Sequence, residues 1–281
     1  MRIAVASGKG GTGKTTVATA LAIVLSERHR VTLLDCDVEE PNAHLFLRPE
    51  IDHREPVSKL LPVIDEAMCT HCGACAEACQ FHALAVLRDH VLRYDALCHG
   101  CGRCALVCPV GAIHEQPHAL GAVETGTARG FAFGHGRLNV GEAMATPLVH
   151  ALQAALPETE ITILDAPPGT GCPTIATLRW ADVALLVTEP TPFGLHDLKA
   201  AAGVAEVLNL PVKVVLNRDG IGDDAVERYC DERPLSIVMR IPFDRQIAAL
   251  YADGIPPVDA LPDLRLAFRD LGRQIVEEGA G

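Results

Sequence analysis

Short apolar runs alternate with helical patterns along most of the chain. Buried strands are predicted at 2–7, 31–35, 161–165, 183–188, 212–217 and 237–241, where apolar residues follow one another almost without interruption. After the first run, Val17, Leu21 and Val24 recur at helical spacing and predict a helix over 16–28. Helical patterns also cover 195–208 and 222–232. Strands that alternate with helices in this way predict an α/β fold with a mostly parallel sheet flanked by helices.

This alternation breaks between positions 56 and 117, where cysteine, histidine and glycine replace the apolar pattern. Because α/β patterns lie on both sides, we interpret the segment as a smaller α+β module that is inserted into one larger domain. The predicted boundaries are 1–58 and 118–281 for the larger domain and 59–117 for the insert. After the insert, 121–138 predicts a hairpin or a loop, and 141–156 predicts a helix.

Composition and charge exclude several classes of protein. Of the 281 residues, 49% are hydrophobic, which is sufficient for a packed core. The formal net charge of -12 opposes attraction to nucleic acid or anionic lipid, so neither is an expected partner. We find no signal-peptide pattern and no apolar run near the roughly 20 residues that span a bilayer, and we therefore expect a cytoplasmic protein. Eight of the 11 cysteines lie in two tight clusters, which favours metal ligation over disulfides.

The loop after the first predicted strand carries a phosphate-binding motif. Residues 7–16 read SGKGGTGKTT, with the spacing of a phosphate loop between a strand and a helix. Glycines permit a tight turn whose backbone N–H groups converge on phosphate oxygens, and the following helix adds its positive end. Lys14 is expected to contact the β- and γ-phosphates and Thr15 to ligate Mg²⁺. An accidental glycine-rich loop is the alternative. The predicted ATP and Mg²⁺ contacts here are Gly8, Gly10, Gly11, Thr12, Gly13, Lys14, Thr15 and Thr16.

The string KGGTGKTT, which begins at Lys9, resembles the deviant phosphate loop of the MinD/ParA class of ATPases and of the nitrogenase iron protein. The resemblance implies a nucleotide-sandwich homodimer that forms with ATP, in which Lys9 reaches the phosphates of the partner subunit. It also implies that Asp35 and Asp37, in LLDCDVEEPN, belong to the first switch and that Asp37 positions the attacking water. A solvated loop lysine is the alternative for Lys9.

Later strand ends carry further positions that resemble this class. Asp165 ends the run ITILD and is followed by APPGTG, which resembles the Walker B aspartate and second switch that hold Mg²⁺. Asn217 in VVLNR and Pro242 in IPFD resemble adenine-contacting positions. A strand-end Asp or Asn is also common as a helix cap or turn residue, and this alternative stays open for each one singly. The predicted catalytic residues are Lys9, Lys14, Asp37 and Asp165.

The insert contains two cysteine runs with the spacing C-x₂-C-x₂-C-x₃-C, and Pro109 follows the second run. The spacing is that of bacterial two-cluster ferredoxins, in which the fourth cysteine of each run ligates the other cluster. This resemblance implies two [4Fe-4S] clusters with crossed ligand sets. The implied ligands are Cys69, Cys72, Cys75 and Cys108 for cluster 1, and Cys98, Cys101, Cys104 and Cys79 for cluster 2.

Some alternatives remain within the insert. Gln80 stands where proline usually follows the first run, which we expect to alter the local turn and not the ligation. Structural zinc is the alternative to clusters, since CxxC pairs also bind Zn²⁺. His71 and His99 lie within the runs and either tune a cluster or are solvated loop residues.

Cys172 lies seven positions beyond Asp165 and is a further candidate metal ligand, at a dimer interface. The nitrogenase iron protein has a cluster-ligating cysteine at the same offset. That protein uses two such cysteines in each subunit, however, and this chain has no other cysteine between Cys108 and Cys172. A buried or idle thiol is therefore the alternative.

Together these patterns predict an ATP-hydrolysing homodimeric iron–sulfur protein. In the leading hypothesis, ATP binding and hydrolysis drive a conformational switch that gates electron transfer or metal-cofactor handling, with an unidentified redox or metal-cofactor protein as partner. A second hypothesis is a scaffold or carrier for iron–sulfur or related metal cofactors. A third is a positioning ATPase, which the acidic end of the C-terminal segment 264–278 disfavours because membrane docking requires a basic amphipathic helix.

Overall fold

The structure, a computed structural model, describes residues 1–157 and 159–279. Most of its strands coincide with the apolar runs of the sequence, and two long strands do not. The strands are β1 (Arg2–Ala6), β2 (Val31–Asp35), β3 (Glu50–Ile64), β4 (Leu84–Val86), β5 (Val91–Arg93), β6 (Ile113–Ala128), β7 (Phe131–Leu138), β8 (Ile161–Asp165), β9 (Val183–Thr188), β10 (Val212–Asp219) and β11 (Ser236–Pro242).

Helices connect most of these strands, and several begin with proline in the first turn, where the missing backbone N–H has no helical partner to lose. The helices are α1 (Lys14–Leu25), α2 (Ala43–Leu47), α3 (Ala74–Ala78), α4 (Arg103–Leu106), α5 (Thr146–Ala155), α6 (Cys172–Arg179), α7 (Pro192–Val207), α8 (Ala225–Asp231), α9 (Arg245–Ala252), α10 (Pro257–Ala260) and α11 (Pro262–Gly279).

Within the described residues, nine strands form one sheet in the order β11-β10-β9-β1-β8-β2-β7-β6-β3. Neighbouring strands are parallel from β11 to β7, and β6 and β3 are added antiparallel at one edge. The predicted fold class, a mostly parallel sheet flanked by helices, is therefore confirmed. Asp165 pairs in register with both Val5 and Asp35, so the carboxyl ends of β1, β8 and β2 meet at one edge. Ligands bind at this edge in open α/β sheets.

Apolar side chains on the two faces of the sheet form two separate cores. Ile3 and Leu33 belong to the core beneath α1 and α11, where Phe268 is fully buried. Ala4 and Leu34 belong to the opposite core beneath α5, α6 and α7. Because successive strand residues point to opposite faces, a strand that is covered on both sides must be apolar at every position. This burial explains the uninterrupted apolar runs in the sequence.

β3 and β6 form a long antiparallel ribbon that starts in the main sheet and ends at the cysteine module. Cross-strand pairs run from Glu50 with Thr127 at the root to Ile64 with Ile113 at the tip. β7 pairs with β6 only over 121–128, so the outer part of the ribbon extends beyond the main sheet. The ribbon crosses both predicted boundaries of the insert, because Ser58 pairs with Ala119 and the strands continue outward from there. The domain division itself stays a prediction.

The segment between the two ribbon strands contains α3, the β4–β5 hairpin and α4. Two small apolar clusters hold it together: Leu61 packs with Ala83 and Cys98, and Ile113 packs with Cys75 and Leu84. Each cluster contains ribbon residues: Leu61 in the first, and Ile113 with Ile64 packed against it in the second. The ribbon is therefore part of the interior of this module, which we call the cysteine module (residues 65–112), and holds it at the edge of the sheet.

The other predicted elements agree with the structure apart from small shifts at their ends. The hairpin or loop predicted at 121–138 is the β6–β7 hairpin, and the helix predicted at 141–156 is the shorter α5. At the C-terminal end, α11 packs its buried residues Phe268, Leu271 and Ile275 into the core beneath α1. In the part of the chain that the structure describes, no helix is both long and apolar enough to cross a bilayer.

Candidate nucleotide cleft and cysteine-lined cavities

The phosphate loop connects β1 to α1 and is tightly packed at two of its glycines. Gly13 has a φ of +96°, and a Cβ added there would lie 2.4 Å from the side-chain nitrogen of Asn217. That nitrogen donates a hydrogen bond of 2.7 Å to the carbonyl oxygen of Thr12. A Cβ at Gly8 would lie 2.3 Å from the carbonyl oxygen of Asp197 on α7. Glycine is therefore required at both positions, and Asn217 supports the loop from β10.

Lys14 and three aspartates form the electrostatic centre of the site. The Lys14 side chain is buried and lies 3.3 Å from the carbonyl oxygen of Lys9. Burial lowers the pKa of Lys14, although the charges of Asp165, Asp37 and Asp35 oppose this effect. Three carboxyl groups around one ammonium leave an excess of negative charge when all are ionised. Such a set of oxygen atoms suits Mg²⁺.

The three aspartates have different surroundings. Asp35 accepts hydrogen bonds from the backbone N–H groups of Asp37, Asn42 and Ala43, at 3.1, 2.9 and 3.0 Å, and so fixes the turn after β2. Asp165 is buried, and among the described residues neither of its carboxylate oxygens has a well-formed hydrogen bond, although the side chain of Thr15 is close enough to act against the rise of its pKa. Burial raises the pKa of Asp35 well above its usual range, helped by the neighbouring charge of Asp165, and burial likewise raises the pKa of Asp165.

Asp37 is less enclosed, and it faces the cleft. Burial raises the pKa of its carboxyl group to about 6, although a backbone hydrogen bond from Glu40 and the charge of Lys14 act in the opposite direction. Two orphaned buried oxygens on Asp165 and one on Thr12 lie at the same site. Buried polar atoms without partners are rare in native structures, so a bound group is expected to satisfy them. Mg²⁺ and phosphate oxygens with their water shell fit these residues.

An open cleft begins at the phosphate loop. Its lining combines polar residues, among them Lys14, Thr15 and Asp37, with apolar ones such as Tyr251 and Phe268. This mixture suits a molecule with a charged tail and a flat ring system. The predicted cleft residues that line it are Gly10, Gly11, Gly13, Lys14, Thr15, Thr16, Asp37, Asn217 and Pro242.

Lys9 lies within its own subunit in this structure. Its ammonium is 3.9 Å from a carboxylate oxygen of the buried Glu189 and 6.0 Å from the ring centre of Phe193. The guanidinium of Arg218 is 2.9 Å from the other oxygen of Glu189 and donates to the carbonyl oxygen of Gly11. Glu189 thus holds two cations beside the phosphate loop. An approach of Lys9 to a partner subunit would require it to leave Glu189.

The model described as the CobQ/CobB/MinD/ParA nucleotide binding domain matches residues 3–258. The chain belongs to this family. It is also similar to the uncharacterized protein MJ0578 of Methanocaldococcus jannaschii, with 33% identity over 99% of this chain and 97% of that protein. An iron-sulfur cluster carrier protein of Aquifex aeolicus is 26% identical over 94% of this chain and 64% of its own length. The MgADP complex of the MinD protein from Pyrococcus horikoshii has the same fold, with a TM-score of 0.62, 19% identity and coverage of 98% and 95%.

Away from this MinD/ParA-type cleft, the cysteine module contains two cavities, each of which is lined by four cysteines. The first is lined by Cys69, Cys72, Cys75 and Cys108. The second is lined by Cys79, Cys98, Cys101 and Cys104. In both cavities, three cysteines come from one run and the fourth comes from the other run. The cavities group the cysteines in the same crossed sets that the ferredoxin resemblance implied, and ligation of a cluster by these sets stays a prediction.

Backbone N–H groups point at several of these sulfur atoms. Ala83 donates to Cys79 and Ala112 donates to Cys108, both at 3.3 Å. Burial acts to raise the pKa of Cys108, but hydrogen bonds from Val110, Ala112 and neighbouring backbone groups lower it overall. Burial raises the pKa of Cys75. A metal that binds these thiols as thiolates displaces their protons, and the N–H donors then face a negative sulfur.

The two histidines of the cysteine runs have defined partners, which the sequence does not predict. The Nε2 atom of His71 is 3.0 Å from a carboxylate oxygen of Glu66, and the ring of His99 stacks on Phe81 with 3.6 Å between ring centres. Cys172 is exposed at the first residue of α6, so it is not a buried thiol. Its role as a metal ligand stays a prediction.

Several residues that shape these sites carry no sequence motif. Glu189 follows β9 in the string VTEP, and Arg218 follows Asn217, so each is adjacent to a recognised strand end. Lys59 and Glu142 lie far apart in the sequence and meet beside the second cavity, at 3.9 Å. Pairings of this kind depend on the ribbon, and no local pattern indicates them.

Proposed function

We propose that the protein is a MinD/ParA-type ATPase that binds and hydrolyses MgATP as a homodimer and uses this cycle to control two [4Fe-4S] clusters. The observation that carries the proposal is the crossed grouping of eight cysteines into two cavities, at the end of a ribbon that belongs to the nucleotide-binding sheet. Iron–sulfur clusters transfer single electrons when bound. The function is therefore electron transfer or metal-cofactor handling that depends on nucleotide state.

The residues of the cleft have distinct roles in this proposal. Thr15 and Asp165 would hold Mg²⁺, which would help to neutralise the phosphates, and Lys14 would contact the β- and γ-phosphates. Asp37 orients the attacking water. Lys9 leaves Glu189 on dimer formation and reaches the γ-phosphate bound by the partner subunit, where negative charge develops in the transition state. Asn217 and Pro242 contact the base.

The spacing of the sulfur atoms supports clusters over zinc. A tetrahedral zinc ion with Zn–S distances of about 2.3 Å brings its four sulfurs to about 3.8 Å from one another. Among the described residues, no three of the eight cysteine sulfurs lie within 4.8 Å of one another; the group that meets this limit, Glu66 with Cys69 and His71, contains a single cysteine. The thiols are therefore not arranged around a single tetrahedral zinc ion.

A short route connects the first switch to the ribbon. The carbonyl oxygen of Val38, next to Asp37, accepts a hydrogen bond of 2.9 Å from the backbone N–H of Leu138 at the end of β7. A Cβ at Gly136 would lie 2.5 Å from the side chain of Val38. The next residue after β7, Asn139, donates to the carbonyl oxygen of Leu120 on β6. Movement of the switch with nucleotide would therefore act on the strand that supports the ribbon.

The deciding experiment is electron paramagnetic resonance of protein that is purified without oxygen and reduced with dithionite, with and without MgATP. We expect iron and sulfide for two clusters and a cluster signal that changes when MgATP is added. Lys14→Ala is the matched control, because it removes the phosphate contact and lies outside the cysteine module. We expect this variant to retain its iron and to lose the response to MgATP. Colourless protein that contains zinc would contradict the proposal.

A cluster carrier is the second candidate, and the similarity to proteins named iron-sulfur cluster carriers favours it. Six of the eight cysteines in the two cavities are not buried, which leaves the clusters accessible to an acceptor. The two functions differ in the fate of the cluster. Rapid transfer of iron and sulfide to an apo-protein acceptor would support the carrier, whereas clusters that are retained through repeated cycles of reduction and oxidation would support electron transfer.

A further inference from the structure

A buried lysine lies where the ribbon meets the second cysteine-lined cavity. Lys59, on β3, is 7% exposed, and its ammonium donates a hydrogen bond of 2.8 Å to the carbonyl oxygen of Asp95. Its other polar neighbours are the sulfur of Met144 at 3.8 Å and a carboxylate oxygen of Glu142 at 3.9 Å. Lys59 is outside every motif of the sequence and takes no part in the nucleotide cleft.

The charge of Lys59 is incompletely balanced by the protein. A buried ammonium is costly unless an opposite charge and several hydrogen bonds accompany it. The nearest carboxylate, Glu142, is at the limit of an ion pair with Lys59 and makes a shorter contact, of 2.6 Å, with His118. The charge of Lys59 also acts on the Asp95 carboxylate, but that group is paired with Arg93, so both neighbouring carboxylates are shared with other cations. A further negative charge is therefore expected close to the ammonium.

The second cavity supplies the place for that charge. The backbone N–H of Cys98 donates to the same carbonyl oxygen of Asp95 that the ammonium of Lys59 contacts, so the two donors are neighbours. A Cβ at Gly100, between Cys98 and Cys101, would lie 3.5 Å from the Cβ of Lys59. The loop that carries two cysteines of this cavity thus packs directly against Lys59.

We propose that Lys59 raises the reduction potential of the cluster held by Cys79, Cys98, Cys101 and Cys104, with Glu142 as its partial counter-charge. This inference rests on the proposed function, because it requires that a cluster binds in the second cavity. A [4Fe-4S] cluster with four thiolates is an anion, and reduction by one electron from an external donor increases its negative charge by one. A nearby fixed cation stabilises the reduced form more than the oxidised form.

The first cavity has the opposite charge beside it. A carboxylate oxygen of Glu66 lies within 4.8 Å of the sulfur of Cys69. Arg103 and Glu115 also line the second cavity and carry opposite charges, and Arg93 near Cys98 is paired with Asp95. Glu66 is exposed and paired with His71, so solvent screens its charge more than that of the buried Lys59. The cavities therefore differ chiefly in the buried cation beside the second one, and we expect the second cluster to have the higher reduction potential.

The test is a redox titration of the anaerobically purified protein, followed by electron paramagnetic resonance, on wild type and three variants. Lys59→Met should shift one of the two reduction steps to a more negative potential and leave the other unchanged, while Lys59→Arg should retain the wild-type value. Glu66→Gln is the matched control at the first cavity, and it should raise the potential of the other step. Together these variants assign each step to its cavity.

Glu142→Gln provides a second measurement that leaves Lys59 in place, in case Lys59→Met does not fold. Removal of the counter-charge should move the same step as Lys59→Met, but to a more positive potential. Unchanged potentials, or equal shifts of both steps, in either variant would overturn the role of Lys59. Wild-type protein without clusters would instead contradict the proposed function, so the two failures are distinguishable.

Discussion

At the scale of single residues, the nucleotide cleft is a concentration of carboxyl groups around one lysine. Asp35, Asp37 and Asp165 lie around Lys14, and burial raises the pKa of all three carboxyl groups. In the nucleotide-free protein these groups oppose folding, because each would be ionised at neutral pH in the unfolded chain. The carboxyl groups that are expected to bind Mg²⁺ therefore lower the free energy of unfolding of the nucleotide-free protein.

Asp37→Asn should stabilise the nucleotide-free protein at neutral pH. The pKa of Asp37 rises from 3.8 to about 6 on folding, so the folded state binds more protons than the unfolded chain between these values. Stability consequently falls as the pH rises through this window and stays lower above it. We expect the free energy of unfolding of Asp37→Asn to exceed that of wild type by on the order of 1 kcal/mol at about pH 7.5, and by nothing near pH 4. The difference is small because the carboxyl group is partly exposed and therefore screened by solvent. Urea denaturation at both pH values measures the effect.

The matched control is Asp52→Asn, which changes an exposed carboxylate on β3. This variant should leave the free energy of unfolding unchanged at both pH values. A gain for Asp37→Asn that is equal at both pH values would show that its cause is not the ionisation of this carboxyl group.

Gly13→Ala should weaken both the fold and nucleotide binding, whereas Gly10→Ala should affect the fold little. An alanine at position 13 would be strained at a φ of +96° and would collide with the side chain of Asn217. We expect a loss of about 1–2 kcal/mol from the backbone conformation alone, seen as a lower midpoint of thermal unfolding. A Cβ at Gly10 would meet nothing within 4 Å. Equal destabilisation by the two substitutions would contradict the packing described for the loop.

At the scale of secondary-structure elements, the ribbon is the part of the fold that the sequence did not predict. Residues 50–56 of β3 are all exposed, so this half of the strand has no alternation of buried and exposed positions to reveal it. It exists because β6 supplies cross-strand hydrogen bonds along its whole length. By contrast, β1, β2, β8 and β9 were predicted closely, since their burial on both faces leaves a local apolar signature.

The residues of the candidate sites fall into the same two groups: those that a local sequence pattern predicts and those that only the fold brings to the site. Spacing in the sequence indicated the phosphate loop and both cysteine runs, because their chemistry requires neighbours along the chain. The partners of these groups come from elsewhere: Glu189 beside Lys9, and Lys59 beside the loop of Cys98. Contacts between distant segments depend on strand register, which no short stretch of sequence specifies.

Pairs of cysteine substitutions should reveal the crossed arrangement of the two cavities. If Cys69 and Cys108 serve the same cluster, the double variant with serine at both positions should contain as much iron as either single variant, about half that of wild type. Serine at both Cys69 and Cys79 should remove both clusters, since these residues line different cavities. Iron and sulfide analysis after anaerobic purification measures this. If the Cys69 and Cys108 double variant loses both clusters and the Cys69 and Cys79 double variant keeps about half of the iron, each run holds its own cluster.

At the scale of the whole molecule, the proposed homodimer can be tested at Lys9. Lys9→Ala should prevent ATP-dependent dimer formation and leave binding of MgATP to the monomer intact, because Lys9 contacts Glu189 and not the cleft in this structure. Loss of a cation that acts across the interface should lower hydrolysis by about 10³-fold or more. Size-exclusion chromatography with and without MgATP, and phosphate release, measure these effects.

The control for this experiment is Lys199→Ala, which removes a lysine of α7 that lies over the ring of Tyr229. It should dimerise and hydrolyse ATP as wild type does. If Lys9→Ala also dimerises normally with MgATP, Lys9 does not act across the interface.

The place at which the ribbon leaves the sheet has an evolutionary consequence. Ser58 and Ala119 face each other in one ladder, so the chain departs and returns at adjacent points. For the rest of the sheet, residues 59–118 therefore take the place of a hairpin loop between two neighbouring strands. The entropy cost of closing a loop grows only slowly with its length. A single in-frame recombination at these two positions would therefore add or delete the whole cysteine module and leave every other strand in its register.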